Sequence, residues 1–129
     1  DQITFFHIYS DIFSLDRSVL NLLKRLKDRF RMVLLSNTDI ERFGFVKRKF
    51  PEVLIFDEYV LSYEVGCLKP HPEIYKAALT RAHARPEESV FIDDIKENID
   101  GAAKLGIRTI LFEPQTDLEA ELKKTGISF

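Results

Sequence analysis

The chain of 129 residues contains no Trp and one Cys, Cys67. A single thiol excludes an intrachain disulfide framework, so a reducing cytoplasm is the expected compartment. Long apolar runs are also missing. The longest, such as Met32 to Leu35 and Thr109 to Phe112, fall far short of the roughly 20 residues that a spanning helix requires. No charged-then-apolar leader precedes a cleavage site, so no signal peptide is expected. Charge of one sign is scarce too: 19 Lys and Arg against 21 Asp and Glu give a net charge of −2. No global field therefore points to nucleic acid or to an anionic membrane. No internal repeat, linker or low-complexity tract is evident.

What is present suits one soluble domain. Hydrophobic residues make up 45% of the chain, and eleven Phe supply bulk for a packed interior. Phe5, Ile8, Tyr9 and Ile12 fall at helical spacing. Asp16 can cap a second helix whose apolar face is Val19, Leu22, Leu23, Leu26 and Phe30. Met32 to Leu35 reads as a strand buried on both faces. Helices are expected from about Ile40 to Phe50, from Pro72 to about His83, and from Ile95 to Leu105. A helix is also expected after a Thr116–Glu119 capping box. Further strands are expected near 53–58, 89–93 and 109–112. Strands alternate with helices, and this predicts an α/β fold, a Rossmann-like parallel sheet flanked by helices.

Three polar clusters stand at or near strand ends, where ligands gather in such sheets. They are Ser36-Asn37-Thr38, Lys69, and Asp93-Asp94. A hydroxyl beside free backbone N–H groups can cradle a phosphate oxygen. A lysine offers a compact positive charge. Paired aspartates leaving a buried strand form a hard-oxygen site for Mg²⁺. Together these parts suit phosphoryl transfer. Taken singly, each has a plainer reading. Ser36-Asn37-Thr38 reads as a helix-capping turn, Lys69 as a solvated lysine, and Asp94 as a cap. His71 reads as a helix-start residue, His7 and His83 as surface residues, and Cys67 as a small loop residue.

In order and spacing, three segments resemble motifs of the haloacid dehalogenase-like (HAD) superfamily of hydrolases. Leu34-Leu35-Ser36-Asn37-Thr38 is similar to its second motif. Glu64 to Pro70, with Gly66 and Lys69-Pro70, is similar to the third. Phe91-Ile92-Asp93-Asp94 with Asn98 to Ala102 is similar to the fourth. The resemblance implies a capped, magnesium-dependent phosphatase acting on a small phosphorylated metabolite. In it, Ser36, Asn37 and Lys69 would hold the phosphoryl group. Lys69 and Asp93 would be catalytic, and Asp94 with Asp93 would bind the metal. Asn98 stands where many relatives carry another acid. The family's first motif, Asp-x-Asp at the end of the first strand, has no counterpart, because no two aspartates lie two positions apart. The chain is therefore expected to be an incomplete HAD-like core over residues 16–129. Residues 1–15 would end a helical cap, with the first strand and most of the cap missing. The gap between the strands ending at Ser36 and Asp93 is expected to be filled by a segment absent from this chain. The nucleophile would also lie outside it. A non-catalytic binding module and a metal-independent haloacid dehalogenase are the alternatives.

Overall fold

The computed structural model describes residues 4–7 and 17–126, with side chains for 17–126 apart from Val53. Five strands form one sheet: β1 (Thr4–His7), β2 (Met32–Ser36), β3 (Glu58–Leu61), β4 (Ser89–Asp93) and β5 (Arg108–Leu111). Their order is β3-β2-β1-β4-β5, and every neighbouring pair is parallel. Parallel strands need crossover connections, and the sequence supplies them as helices. The crossover helices are α1 (Arg17–Lys27), α2 (Ile40–Lys49), α3 (Ser62–Val65), α4 (Pro72–Ala82) and α5 (Lys96–Ala103), and α6 (Leu118–Lys124) follows the last strand.

The side-chain alternation of β2 divides the core. Met32 and Leu34 pack on one face with Leu20, Leu23 and Leu26 of α1 and Leu122 of α6. Val33 and Leu35 pack on the other with Ile74, Tyr75 and Ala78 of α4 and Ala102 of α5. All five β2 residues are buried, which is why the strand reads as an unbroken apolar run. Burial of each such aliphatic chain contributes about 1.5–3 kcal/mol.

Three expectations need correction. Phe5 to His7 form a strand rather than a helix: β1 pairs with β2 on one side and β4 on the other. Ladders on both flanks outweigh a short periodic signal. Residues 8–16, including the rest of that segment and the expected cap-to-core boundary, lie outside the described residues. The place between β2 and β4 is thus filled by the chain itself, not by an absent segment. Next, the third strand is 58–61, not 53–58. Pro51 opens a 3-10 turn, Pro51–Ile55, and Asp57 then clamps the start of β2. The Asp57 N–H donates to Met32 O at 2.8 Å, and Asp57 Oδ2 accepts from the Met32 N–H at 2.8 Å. Regular pairing begins only at Glu58. Last, α6 is capped by Asp117, whose Oδ1 accepts from the Ala120 N–H. Thr116 instead accepts from the Glu113 N–H, and Glu119 bonds Arg25.

His71 does start a helix, its Nδ1 accepting from the Glu73 N–H. His83 is exposed and ends α4 with φ +54, a left-handed residue that returns the chain toward β4.

Candidate active site

All five strands run the same way, so Ser36 and Asp93, the last residues of β2 and β4, emerge at one end of the sheet. The loop after α3 brings Lys69 between them. Its Nζ donates to Leu35 O at 3.3 Å and to Asp93 Oδ2 at 3.2 Å. One ammonium therefore touches the residue before Ser36 and the residue before Asp94.

The Lys69–Asp93 pair is buried, with side chains 2% and 0% exposed. Burial pushes the Lys69 ammonium below its usual range, while the Asp93 charge and hydrogen bond, and more weakly Asp94, pull it back. The Asp93 carboxylate has two further donors. Oδ2 also accepts from Asn98 Nδ2 at 2.9 Å, and Oδ1 accepts from the Ile95 N–H at 3.1 Å. Asn98 is thus a buried donor that holds Asp93, a function an acid at this position would not serve. Its own carbonyl accepts from the Tyr75 hydroxyl at 2.7 Å. Burial, and then the Asp93 charge, push that phenol well above its usual range. Tyr75 also meets Phe91 edge-on at 5.3 Å.

The loop bearing Lys69 is pinned from both sides. Asn37 Oδ1 accepts from the Lys69 N–H at 2.8 Å, and Asn37 Nδ2 donates to Lys69 O at 3.2 Å. The Lys69–Pro70 peptide is cis. On the far side Gly101 lies so close that a Cβ there would sit 2.8 Å from Pro70 Cβ and 3.0 Å from Pro70 O. A glycine is the residue that lets α5 approach this loop. Thr38 is fixed in turn by Ser62. The Ser62 Oγ accepts from the Thr38 N–H at 2.8 Å and donates to Thr38 O at 2.9 Å.

Two sequence-derived candidates remain open to a ligand. Ser36 is 7% exposed, yet its hydroxyl has no protein partner among the described residues. Asp94 is exposed, and its carboxyl is pushed up to about 6 by the chain packed around it and by the adjoining Asp93 carboxylate. Crowded negative charge at an open carboxylate is what a cation would relieve. Among the described residues no group of three metal-ligating side chains converges here. Asp94 is an exposed carboxylate, an oxygen donor of the kind that Mg²⁺ takes together with water and phosphate oxygens.

Sequence reasoning missed Ser62 and Tyr75. Ser62 follows the apolar pair Val60-Leu61 at a strand end, the same signal that marked Ser36. Tyr75 looked like core at helical spacing, and nothing in sequence marks its reach to the Asn98 carbonyl.

The sequence model for haloacid dehalogenase-like hydrolases matches residues 3–106. Over 75 residues the chain is 41% identical to bifunctional epoxide hydrolase 2 of Rattus norvegicus, covering 57% of this chain and 14% of that protein. Over 66 residues it is 38% identical to a D-ribitol-5-phosphate phosphatase of Bacteroides thetaiotaomicron, covering 51% and 32% respectively. A HAD family enzyme from that organism, solved with magnesium and inorganic phosphate, superposes with a TM-score of 0.74. Its identity is 35%, over 82% of this chain and 57% of that one. The chain thus spans a third or less of these two curated relatives and about half of the solved enzyme. Among the described residues, no helix is long and apolar enough to cross a membrane. Family match, parallel sheet and the Ser36–Lys69–Asp93 constellation agree, and the chain belongs to the haloacid dehalogenase-like hydrolase family.

Proposed function

We propose that this chain contributes the phosphate- and metal-binding half of a magnesium-dependent phosphohydrolase for a small phosphate monoester. The observation that carries this reading is the buried Lys69 ammonium, bonded to both Leu35 O and Asp93 beside a Ser36 hydroxyl that has no partner among the described residues. Ser36 would donate to a phosphoryl oxygen, joined by the Asn37 backbone N–H. Lys69 would face the charge that develops on the phosphoryl group, where a dry site makes a fixed cation most effective. Asp93, committed to Lys69 and Asn98, acts as the group that orients the lysine. Asp94 would hold Mg²⁺, which when bound supplies Lewis-acid charge stabilisation. The nucleophile would be an aspartate outside this chain, forming an aspartyl-phosphate that water hydrolyses.

Turnover of a generic aryl phosphate by the purified chain tests the division of labour. None is expected, with or without magnesium. Magnesium-dependent hydrolysis that Asp94→Asn abolishes would place the nucleophile within the chain. Expressing the parent reading frame with its upstream sequence should give activity that is lost in Lys69→Ala.

A second reading, a non-catalytic module that binds an anion at the same place, draws on β1. The chain itself fills the middle of the sheet with Thr-Phe-Phe-His, a strand without an aspartate. An inactive parent protein that still binds inorganic phosphate would select it.

A further inference from the structure

Charge is unevenly distributed in this nearly neutral chain. Residues 24–31 and 42–49 hold nine of the nineteen cations and only one of the 21 anions, Asp28. The rest of the chain carries ten cations and twenty anions, a net −10. The first basic segment is the end of α1 and the turn into β2, and the second is most of α2. Both helices run back against the strands, so the first segment and the last turn of α2, Lys47 to Lys49, lie at the amino end of the sheet, opposite Ser36 and Asp93, whereas Arg42 stands in the first turn of α2 beside Asp39. They meet at the 3-10 turn Pro51–Ile55: α2 leads directly into it, and Lys27 Nζ donates to Ile55 O at 2.7 Å.

Among the described residues, Lys24, Lys27, Arg31, Lys47, Arg48 and Lys49 make no ion pair. Elsewhere pairing is common, as in Lys76–Glu73, Lys96–Asp100 and Lys124–Glu121. Helix-dipole compensation accounts for cations in the last turns of α1 and α2. It does not account for Arg29 and Arg31 beyond α1, nor for two large apolar side chains in the same region. Phe45 is 52% exposed and Leu54 55% exposed. Lys49 Nζ stands 5.6 Å from the centre of the Phe45 ring. Beside them a cavity of ≈ 210 Å³ is lined by Lys27, Asp28, Arg29, Phe30, Arg31 and Asp57.

We propose that this basic pole docks on an anionic lipid surface, with Phe45 and Leu54 entering the headgroup layer. Apolar tips ringed by lysines and arginines are the composition of an interfacial contact, as distinct from a spanning one. The Lys49 ammonium over the Phe45 ring is a cation–π contact that keeps a positive charge beside the exposed apolar tip. A nucleic acid would call for open aromatic faces on which bases stack, whereas Lys47 and Lys49 already stand over Phe43 and Phe45. The net charge of −2 predicts no such partner because it sums the pole with the acidic remainder. The proposal is independent of the chemistry at the opposite end.

Sedimentation of the purified chain with vesicles tests it. Binding is expected to phosphatidylserine–phosphatidylcholine vesicles and not to phosphatidylcholine alone, and it should weaken as salt rises. Replacing Lys47, Arg48 and Lys49 together by Ala should weaken it roughly 100-fold, given the attraction of each basic residue near an anionic surface. Phe45→Ser should weaken it about tenfold with charge unchanged. Circular dichroism and melting curves matching the parent chain would show that both variants are folded. No binding to anionic vesicles at low salt would overturn the proposal, as would binding that neither variant reduces. Tighter binding to a single-stranded oligonucleotide than to vesicles, lost in the triple variant, would overturn it in favour of a nucleic-acid partner.

Discussion

Replacing Asp93 by Asn tests the centre of the site most directly. The change keeps shape and removes the negative partner of a lysine whose side chain is 2% exposed. Removing one member of a buried pair typically costs about 3–5 kcal/mol, because a buried charge is left uncompensated. That is a large share of a total stability of about 5–15 kcal/mol. Urea denaturation followed by circular dichroism should show the midpoint falling by about 2 M. Lys69→Met should cost less, because Asp93 keeps the Asn98 and Ile95 donors. The double variant should cost less than the two single losses added, with a coupling of at least about 1 kcal/mol. The pH dependence gives an independent sign. Burial depresses Lys69 below its usual 10.5, and loss of Asp93 depresses it further. A lysine with a lowered folded value destabilises the fold while charged, and the penalty fades as pH rises through that lowered value. The Asp93→Asn deficit should therefore be largest near neutral pH and shrink toward pH 10.5. A deficit under about 1 kcal/mol, or one that grows with pH, would refute the buried-pair reasoning.

Three other outcomes follow from the geometry. Asp94→Asn should leave stability unchanged below about pH 4 and raise it by no more than about 1 kcal/mol at pH 7, after screening at an exposed carboxylate. The raised value means that the charged form is disfavoured, so the benefit of the neutral form is lost as pH climbs through about 6; a loss of stability in the variant would show a capping role instead. Calorimetry should find Mg²⁺ binding to the parent chain weakening as pH falls below about 6 and absent in the variant. Gly101→Ala should lower the melting temperature by several degrees despite better helix propensity, because the added methyl meets Pro70 at 2.8 Å; an unchanged or higher melting point would show that the loop yields.

Much of this molecule was legible in its sequence, for reasons that differ by element. β2 and β4 were readable because strands covered on both faces leave an apolar run with no alternation, and both end in polar groups. The helices were readable from period and from starters such as Pro72. Ser36, Lys69 and Asp94 were singled out because each stands at or near a strand end in a family order. β1 was misread because Phe5 to Ile12 satisfies a helical period as readily as a short strand. Long-range pairing, not local preference, makes Thr4–His7 extended. The 53–58 strand was displaced because nothing local announces that Asp57 will bond Met32 from 25 residues away. The roles of Ser62, Asn98 and Tyr75 depend on such distant pairings as well.

The Asn37 amide joins the lysine loop to the sheet as a peptide group would, one donor and one acceptor facing the backbone of Lys69. A bracket of this kind is sensitive to the age of the molecule. Hydrolysis of the side-chain amide exchanges Nδ2 for an oxygen and sets it against Lys69 O, turning an attraction into a repulsion. The same event adds a negative charge beside the place where a phosphate would bind. Old and freshly made copies of this protein would then differ at one atom, and the difference falls on the contact that sets the position of Lys69.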